Sequence, residues 1–465
     1  MLRFQSKYMK KIAYISFILI LVCSLSSQAQ AKKWTIEECV NYALEHNISI
    51  KQTALDTDLA KIDKNGALGN FLPSVNASGS HSWNIGLNQN ITTGLLQNQT
   101  TQFTSANLNA SVDIYKGLQN QNRYRRATLS IIAAQYQLQK MKDDVSLNVA
   151  NAFLQILFNK ENIKVQKEQL ANNERQFNRT QELVNAGSVP RGDLLDIKAT
   201  VADNKQKVIQ AENAFLISRL SLAQLLQLQD FQDFDIADEN YEANQSEVMF
   251  QTPDAIYKKA LEERVEVKLA KANREVAEKD VTIAKGAFLP TLSGFYAFNS
   301  RISYSDIPVF DSFGNFVGYT NPAPFFNQFS DNKGHNFGLQ LNIPILNGFS
   351  VKNNVARSKV ALERTNIALS QSQVDLERNV YQSFTDAKGA FNSYESAVVA
   401  LEARENAFNY AKERYEVGMM NAFDFNQAQS LFSNAQSEVL RTKYDYIFRT
   451  KIVEFYFGIP ITKKP

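Results

Sequence analysis

The feature that most narrows the possible folds is an internal duplication in which two periodicities take turns. Phe71-Leu72-Pro73-Ser74 recurs as Phe288-Leu289-Pro290-Thr291, and Asp113-Ile114-Tyr115-Lys116-Gly117 as Pro344-Ile345-Leu346-Asn347-Gly348. Val184-Asn185-Ala186-Gly187 with Asp193 recurs as Tyr415-Glu416-Val417-Gly418 with Asp424. The offset is 217 residues at the first pair and 231 from Gly117 onward, so the second copy carries 14 extra residues between Pro290 and Gly348. Such self-similarity marks a repeated structural unit. The copies span 32–228 and 253–458, joined by an acidic, aromatic linker at 229–252 and followed by a short tail at 459–465.

Most of each copy is helical. Val149, Ile156, Ile163, Leu170, Phe177 and Val184 are spaced by seven, and the same register gives Val380, Ala387, Tyr394, Leu401, Phe408 and Tyr415. After each glycine turn the spacing resumes, as Leu194, Val201, Val208, Phe215 and Leu222, then Phe425, Phe432, Val439, Tyr446 and Val453. A seven-residue apolar repeat keeps one seam against a partner helix, which is coiled-coil packing. Intervening seam positions such as Asn204, Ala211 and Ser218 are polar or small, and imply that these helices have another face on water. Residues 119–186 contain no Pro or Gly, so they suit one helix of roughly 100 Å. Helices over 35–66 and 192–228, roughly 50 and 55 Å long, together match it. The second copy repeats the set at 253–285, 350–417 and 424–455.

Between the helices the period falls to two. Val75, Ala77, Gly79, His81, Trp83, Ile85 and Leu87 alternate with Ser and Asn, and Leu108, Ala110, Val112 and Ile114 do the same. The second copy supplies Leu292, Gly294, Tyr296, Phe298 and Ile302, then Phe337, Leu339, Leu341, Ile343 and Ile345. Four strands follow, within 73–116 and 290–347, each long enough to cross a bilayer at about 9–11 residues. A greasy face opposite a Ser/Asn face fits a membrane barrel with a wet lumen; a half-buried soluble sheet shows the same alternation. Trp83, Tyr296, Tyr304 and Phe337 are candidates for an interfacial girdle. Connections at 88–104 and 305–332 are expected as outward loops. Four strands cannot close a barrel, and an open edge in lipid is forbidden, so the protomer must oligomerise, to 8 strands as a dimer or 12 as a trimer.

Residues 1–31 read as a cleaved signal peptide: a basic start to Lys11, an apolar run at Ile12–Ser27, and Ala29-Gln30-Ala31 as a small-x-small site. No later stretch is an apolar 20-mer, so any membrane passage is by strands. The leader holds Arg3, Lys7, Lys10 and Lys11 and no acid; the remainder has 46 basic and 47 acidic residues, which offers nothing to nucleic acid. Two cysteines exclude a disulfide scaffold. His46, His81 and His335 are scattered, so no metal site is expected. No phosphate loop, His-Glu-x-x-His or Gly-x-Ser-x-Gly occurs. No cofactor and no catalysis are expected.

These residues, in this order and twice over, resemble the TolC family of outer-membrane efflux proteins across essentially the whole mature chain. The carriers are the Phe-Leu-Pro strand entries, the Asn347-Gly348 helix entry and the two glycine-centred tips. The resemblance implies a homotrimer: a 12-stranded barrel in the outer membrane on an α-helical barrel crossing the periplasm, built from long antiparallel coiled-coil hairpins. It serves as the outer channel of a tripartite efflux or type I secretion system, and its partners are outer-membrane lipid, a periplasmic adaptor (membrane fusion) protein and, through it, an inner-membrane transporter. Residue by residue, Asp424 matches an aspartate that narrows the periplasmic aperture, Tyr415 a tyrosine in the links that hold it shut, and Asp193 that tyrosine's acidic partner. Asn185, Gly187, Val189, Pro190, Gly418, Met419, Met420 and Asn421 match the adaptor-docking tips. Met420 stands where well-known members carry a gate arginine, and Gln427 where they carry a second aspartate, which points to a closed state resting less on salt links.

Plainer readings of the same residues stay open. Asp193 and Asp424 suit helix caps, Gly187 and Gly418 suit helix ends, and Tyr415 continues the heptad seam. The acidic run at 230–239 reads as a solvated face. A coiled-coil surface protein or adhesin without a duct is the rival function, and it predicts an uninterrupted heptad. A soluble periplasmic scaffold is a third reading, and it predicts release by salt or carbonate.

Overall fold

The computed structural model describes residues 33–461 except 90–95, 230, 233, 239–240 and 245. The expected leader at 1–31 therefore lies outside the described residues. Two compact units divide the chain. One comprises the described residues of Met1–Ala54, Tyr136–Lys268 and Gln371–Pro465; the other comprises Leu55–Gln135 and Leu269–Ser370.

In chain order, β1 (Lys33–Trp34) leads into α1 (Ile36–His46) and α2 (Ile48–Gly69). Strands β2 (Ser74–Gln89) and β3 (Leu96–Lys116) follow, then α3 (Gln119–Asn185) and α4 (Arg191–Leu226). After β4 (Asp235–Ile236) come α5 (Pro253–Glu263), α6 (Val265–Gly286), β5 (Thr291–Ser303), β6 (Ile307–Phe310), β7 (Phe316–Thr320), α7 (Phe325–Asp331), β8 (Gly334–Asn342), α8 (Ser350–Glu416) and α9 (Ala422–Tyr456).

Helices α3 and α8 are both 67 residues long, roughly 100 Å each. The segments expected as single helices over 35–66 and 253–285 are each broken by one extended residue. Asn47 has φ −61°, ψ 129° and Arg264 has φ −68°, ψ 132°. Asn47 Oδ1 accepts from the Ser49 and Ile50 N–H groups, capping α2, while its Nδ2 donates to the Leu225 carbonyl at 3.0 Å. Asn47→Ala loses the cap and the tertiary bond together. The expected cost is about 1–2 kcal/mol, read as a lower thermal midpoint of the assembled protein.

The helical unit has a dry core where Val149, Phe153, Ile156 and Leu157 of α3 meet Val40 and Ala43 of α1, Leu222 and Leu226 of α4, and Ile447 of α9. Asn204, Ala211 and Ser218 are buried in the seam, whereas Leu195, Ile209, Leu216 and Ile217 of the same helix are exposed. Asn204 donates to the Thr200 carbonyl and Ser218 to the Phe215 carbonyl, so each polar group is satisfied by its own helix and packs like a small apolar one. In the linker, Asp238 is exposed and Asp235 half-buried, beside a buried apolar set. Phe234, Ile236, Tyr241 and Val248 are buried, β4 pairs in parallel with β1, and Asp238 bridges Lys33 and Lys160. Hydrogen bonding from Lys160 is the largest of the effects that hold the Asp238 carboxyl below its ordinary range. Of the run at 230–239, Asp230, Asp233 and Glu239 lie outside the described residues.

The second unit carries a four-stranded antiparallel sheet in the order β2-β3-β5-β8. Its register aligns the alternation across all four strands: Val75 faces Ala110, Ala110 faces Tyr296, and Tyr296 faces Phe337. One face is therefore mainly apolar, interrupted by His81, Gln102, Thr104, Ser300 and His335, and the other is rich in Ser and Asn. A bulge at Ile114 interrupts β3 beside β5. The strands run further into the expected loop at 88–104, since β2 reaches Gln89 and β3 starts at Leu96. Strand β8 stops at Asn342, so Ile343 and Ile345, read as strand positions, lie beyond it; Pro344 has no N–H to continue a ladder. The expected loop at 305–332 is ordered as the β6–β7 hairpin and α7.

Both strand-to-helix entries turn through consecutive left-handed residues, Gly117-Leu118 (φ 56° and 59°) and Gly348-Phe349 (φ 58° and 64°). Gly117 passes directly over the Gly286 backbone, whereas Gly348 stands in open space.

Candidate functional site: hairpin tips and the apolar sheet face

Helix α3 ends through Gly187 (φ 71°), with Gly187 N–H donating to the Val184 carbonyl and Ser188 N–H to the Leu183 carbonyl at 2.8 Å. Helix α8 ends the same way. Gly418 (φ 77°) N–H donates to Tyr415 O, and Met419 N–H to Arg414 O at 2.8 Å. This paired bonding needs a left-handed residue after the last turn, which glycine takes without a Cβ clash. The tips are open: Asn185, Gly187, Pro190, Gly418, Met419 and Asn421 are exposed, and Val189 and Met420 half-buried. Sequence reading overlooked Val417 and Phe423, each 70% exposed beside them. Their only signal was an apolar residue outside the heptad register.

The aspartates are not the caps themselves. Pro190 occupies the N-cap of α4 without a side-chain bond, and Asn421 caps α9. Asn421 Oδ1 accepts the Asp424 N–H at 2.8 Å, and Asn421 Nδ2 donates to Asp424 Oδ2 at 2.9 Å. Asp193 and Asp424 both sit in the first turn, where the helix dipole favours an anion. Asp424 is exposed and oriented by Asn421; Asp193 is half-buried. The Tyr415 ring stacks on Phe425 at 4.6 Å, and Phe408 stacks on Phe432 at 5.3 Å. Tyr415 thus joins the seam's aromatic column. Among the described residues of one protomer, neither the Tyr415 hydroxyl nor the Asp193 carboxylate has a hydrogen-bond partner, so the two are not linked within one chain.

Above the tips, α3, α4 and α9 enclose a polar cavity of about 490 Å³ lined by Asn173, Asp196, Asp203, Gln427 and Gln429, among others. Asn173 is fully buried, yet both its amide atoms lack a partner; so do the buried Gln429 Oε1 and Thr180 Oγ1. Each such group costs about 1–3 kcal/mol if left dry.

On the sheet, all four girdle candidates lie on the apolar face or its margin. Tyr296 faces Phe337 at the helix-proximal end, while Trp83 and Tyr304 lie far along the strands beside Gln102. The histidines that sequence reading left without a role join them. His81 Nδ1 bonds Thr104 Oγ1 at 2.8 Å, which bonds the Tyr304 hydroxyl, and His335 Nδ1 bonds the Tyr296 hydroxyl at 2.9 Å. Among the described residues no helix is long and apolar enough to cross a membrane, and no group of three or more His, Cys, Asp or Glu side chains is placed to hold a metal ion.

A strand-borne apolar face and long helical hairpins with open tips define a class of channel proteins, and comparison gives the family. The profile of the outer membrane efflux protein family (OEP) matches residues 39–227 and 256–449. The chain belongs to that family. It is 22% identical over 455 residues to "Outer membrane protein TolC" of Escherichia coli, covering 97% of this chain and 87% of that protein. It is 23% identical over 352 residues to "Pyoverdine export outer membrane protein OpmQ" of Pseudomonas aeruginosa, covering 74% and 68%. The fold is that of solved channels such as the outer membrane protein VceC of Vibrio cholerae, with a TM-score of 0.74, 14% identity, and 92% and 96% of the two chains covered. The protein is an outer-membrane efflux channel that extends into the periplasm, and the reading as a coiled-coil surface protein falls away.

Proposed function

We propose that the chain works as a homotrimeric, passive conduit without catalytic activity, linked by a periplasmic adaptor to an inner-membrane transporter that supplies the energy. The observation that carries this is the sheet order β2-β3-β5-β8, whose outer edges, on β2 and β8, are both unpaired in one protomer. Unpaired strand edges are intolerable in lipid. β8 of one copy joined to β2 of the next closes a ring, and three copies give 12 strands and a lumen. The named relatives are an exporter of pyoverdine and, in "Alkaline protease secretion protein AprF" of Pseudomonas aeruginosa, 21% identical, a secretion component. Both efflux and type I secretion therefore suit the duct.

In this reading Asp424 lines the periplasmic aperture and the Tyr415 hydroxyl reaches Asp193 of a neighbouring protomer. Asn185, Gly187, Val189, Pro190, Gly418, Met419, Met420 and Asn421 form the adaptor-docking tips. The double variant Asp424→Ala, Tyr415→Phe is expected to raise single-channel conductance in planar bilayers severalfold. An unchanged conductance removes the gate assignment. Docking is tested with a photo-crosslinking residue at Val189 and at Asn421 in living cells, the captured species identified by mass spectrometry. Capture of a periplasmic adaptor is the expected result; at good yield, capture of this chain alone would contradict the tripartite reading.

A further inference from the structure

The 14-residue excess of the second copy contributes to a feature without a counterpart among the described residues of the first: α7 lies on the sheet. Strand β8 pairs with β5 only along Thr291–Asn299, which leaves the next four residues of β5 with an open edge and an uncovered face. The α7 segment fills both. Gln328 acts as a surrogate strand, its Oε1 accepting the Ser303 N–H at 3.0 Å and its Nε2 donating to the Ser303 carbonyl at 2.9 Å. Asn332 Nδ2 donates to the Arg301 carbonyl at 2.7 Å. Ser300 Oγ donates to the Phe329 carbonyl, and the Phe329 ring meets Phe298 at 6.0 Å. Ser300 and Ile302 are thereby buried to 1% and 0%.

Phe298, Ser300 and Ile302 share the parity of Tyr296, so α7 sits on the apolar face, the one that meets lipid. It lies level with the far girdle, because Ile302 faces Thr104, which is bonded to His81 and Tyr304. Its exposed surface is led by two phenylalanines, Phe325 at 41% and Phe326 at 81% exposure, with Asn327, Ser330 and Asp331 exposed beside them.

We propose that α7 is an interfacial foot seated in the outer leaflet, with lipid as the occupant of its Phe325–Phe326 surface. Two arguments carry it. The surface is continuous with the lipid-facing side of the sheet, and two adjacent phenylalanines at girdle level are the chemistry that favours the headgroup–acyl boundary. Gln328 and Asn332 are spent on the strand edge, where lipid supplies no hydrogen bonds, and the exposed Asn327, Ser330 and Asp331 suit the headgroup layer rather than the acyl core. The foot thus fixes how deeply the far end of the barrel rides in the membrane.

The test labels Phe326→Cys with a nitroxide in the full-length channel, reconstituted in phosphatidylcholine–phosphatidylglycerol vesicles. Cys23→Ser provides the background, and buried Cys39 is shielded from the reagent. Relaxation by oxygen, which concentrates in lipid, is compared with relaxation by a water-soluble nickel chelate. Ala77→Cys, exposed on the apolar face, and Phe313→Cys, 90% exposed in the β6–β7 turn, are the references. The oxygen-to-nickel ratio at 326 is expected to group with 77 and to exceed that at 313 by roughly threefold or more. A ratio matching 313 overturns the proposal, as does an immobilised label reached by neither reagent, which would mean that a second copy covers the surface. Nickel access at 77 would overturn it differently, by removing the sheet's apolar face from lipid.

Discussion

Gly117→Ala is expected to deplete folded protomer, whereas Gly348→Ala, at the matching position of the second copy, is expected to spare the fold of the single protomer. Both glycines hold left-handed backbone, at φ 56° and 58°, and a Cβ there costs about 1 kcal/mol. Gly117 has a second reason to be glycine. Its added Cβ would sit inside contact distance of the Gly286 carbonyl oxygen and 3.0 Å from Leu289 Cβ, and one added at Gly286 would meet the Gly117 carbonyl in turn. Backbone on both sides cannot give way as a side-chain tip can, so the helix end and strand end must part, for about 2–4 kcal/mol in all. Around Gly348 nothing lies within 4 Å. Limited proteolysis, quantifying the folded protomer of both variants, reads the difference; equal losses would show that the close crossing is not the cause.

Arg264→Ala is expected to be the most damaging side-chain truncation in the helical unit. Arg264 breaks the α5–α6 helix while almost fully buried, its guanidinium 3.4 Å from Asp143 and 3.1 Å from Glu266, and 3.7 Å over the Phe455 ring. Removing one member of a buried ion pair strands the other, for about 3–5 kcal/mol. Burial already raises the Asp143 carboxyl above its ordinary range, the hydrogen bond from Gln139 and the charge of Arg264 opposing it. Without Arg264 that rise grows, and a raised folded-state pKa means the charged form opposes folding. The defect is therefore full at neutral pH and shrinks as pH falls through the raised pKa towards 3.8, the ordinary value. Asp143→Asn in the same chain is expected to restore part of the loss at neutral pH. Thermal midpoints of wild type, single and double variants from neutral pH down towards 3.8 check the sign; a defect that deepened on acidification would contradict it.

The large architecture was legible because its signals are local and periodic. The heptads of α3 and α8 and the alternation of β2, β3, β5 and β8 each follow from residues within one element. The tips were legible from Gly187 and Gly418, whose left-handed backbone is a local demand. What escaped the sequence depends on distant partners. Asn47 carries a capping signal, but Arg264 carries none: its break is held by Asp143 and Phe455, far away in the chain. The acidic linker hides Phe234, Ile236 and Tyr241 between its charges, and only the core they enter shows that they are buried. The burial of Asn204 and Ser218 was not legible, because polarity says nothing of whether a side chain bonds its own helix. Phe325, Phe326 and Gln328 fell inside a long connection, where no period marks a helix.

The central claim, that this chain forms a conduit, is tested most directly by adding the purified, heat-modifiable oligomer to one side of a planar lipid bilayer and recording current. The account predicts discrete steps of one unit size that persist after unbound protein is washed away. A silent bilayer, from protein that demonstrably co-floats with liposomes as an intact oligomer, would contradict it.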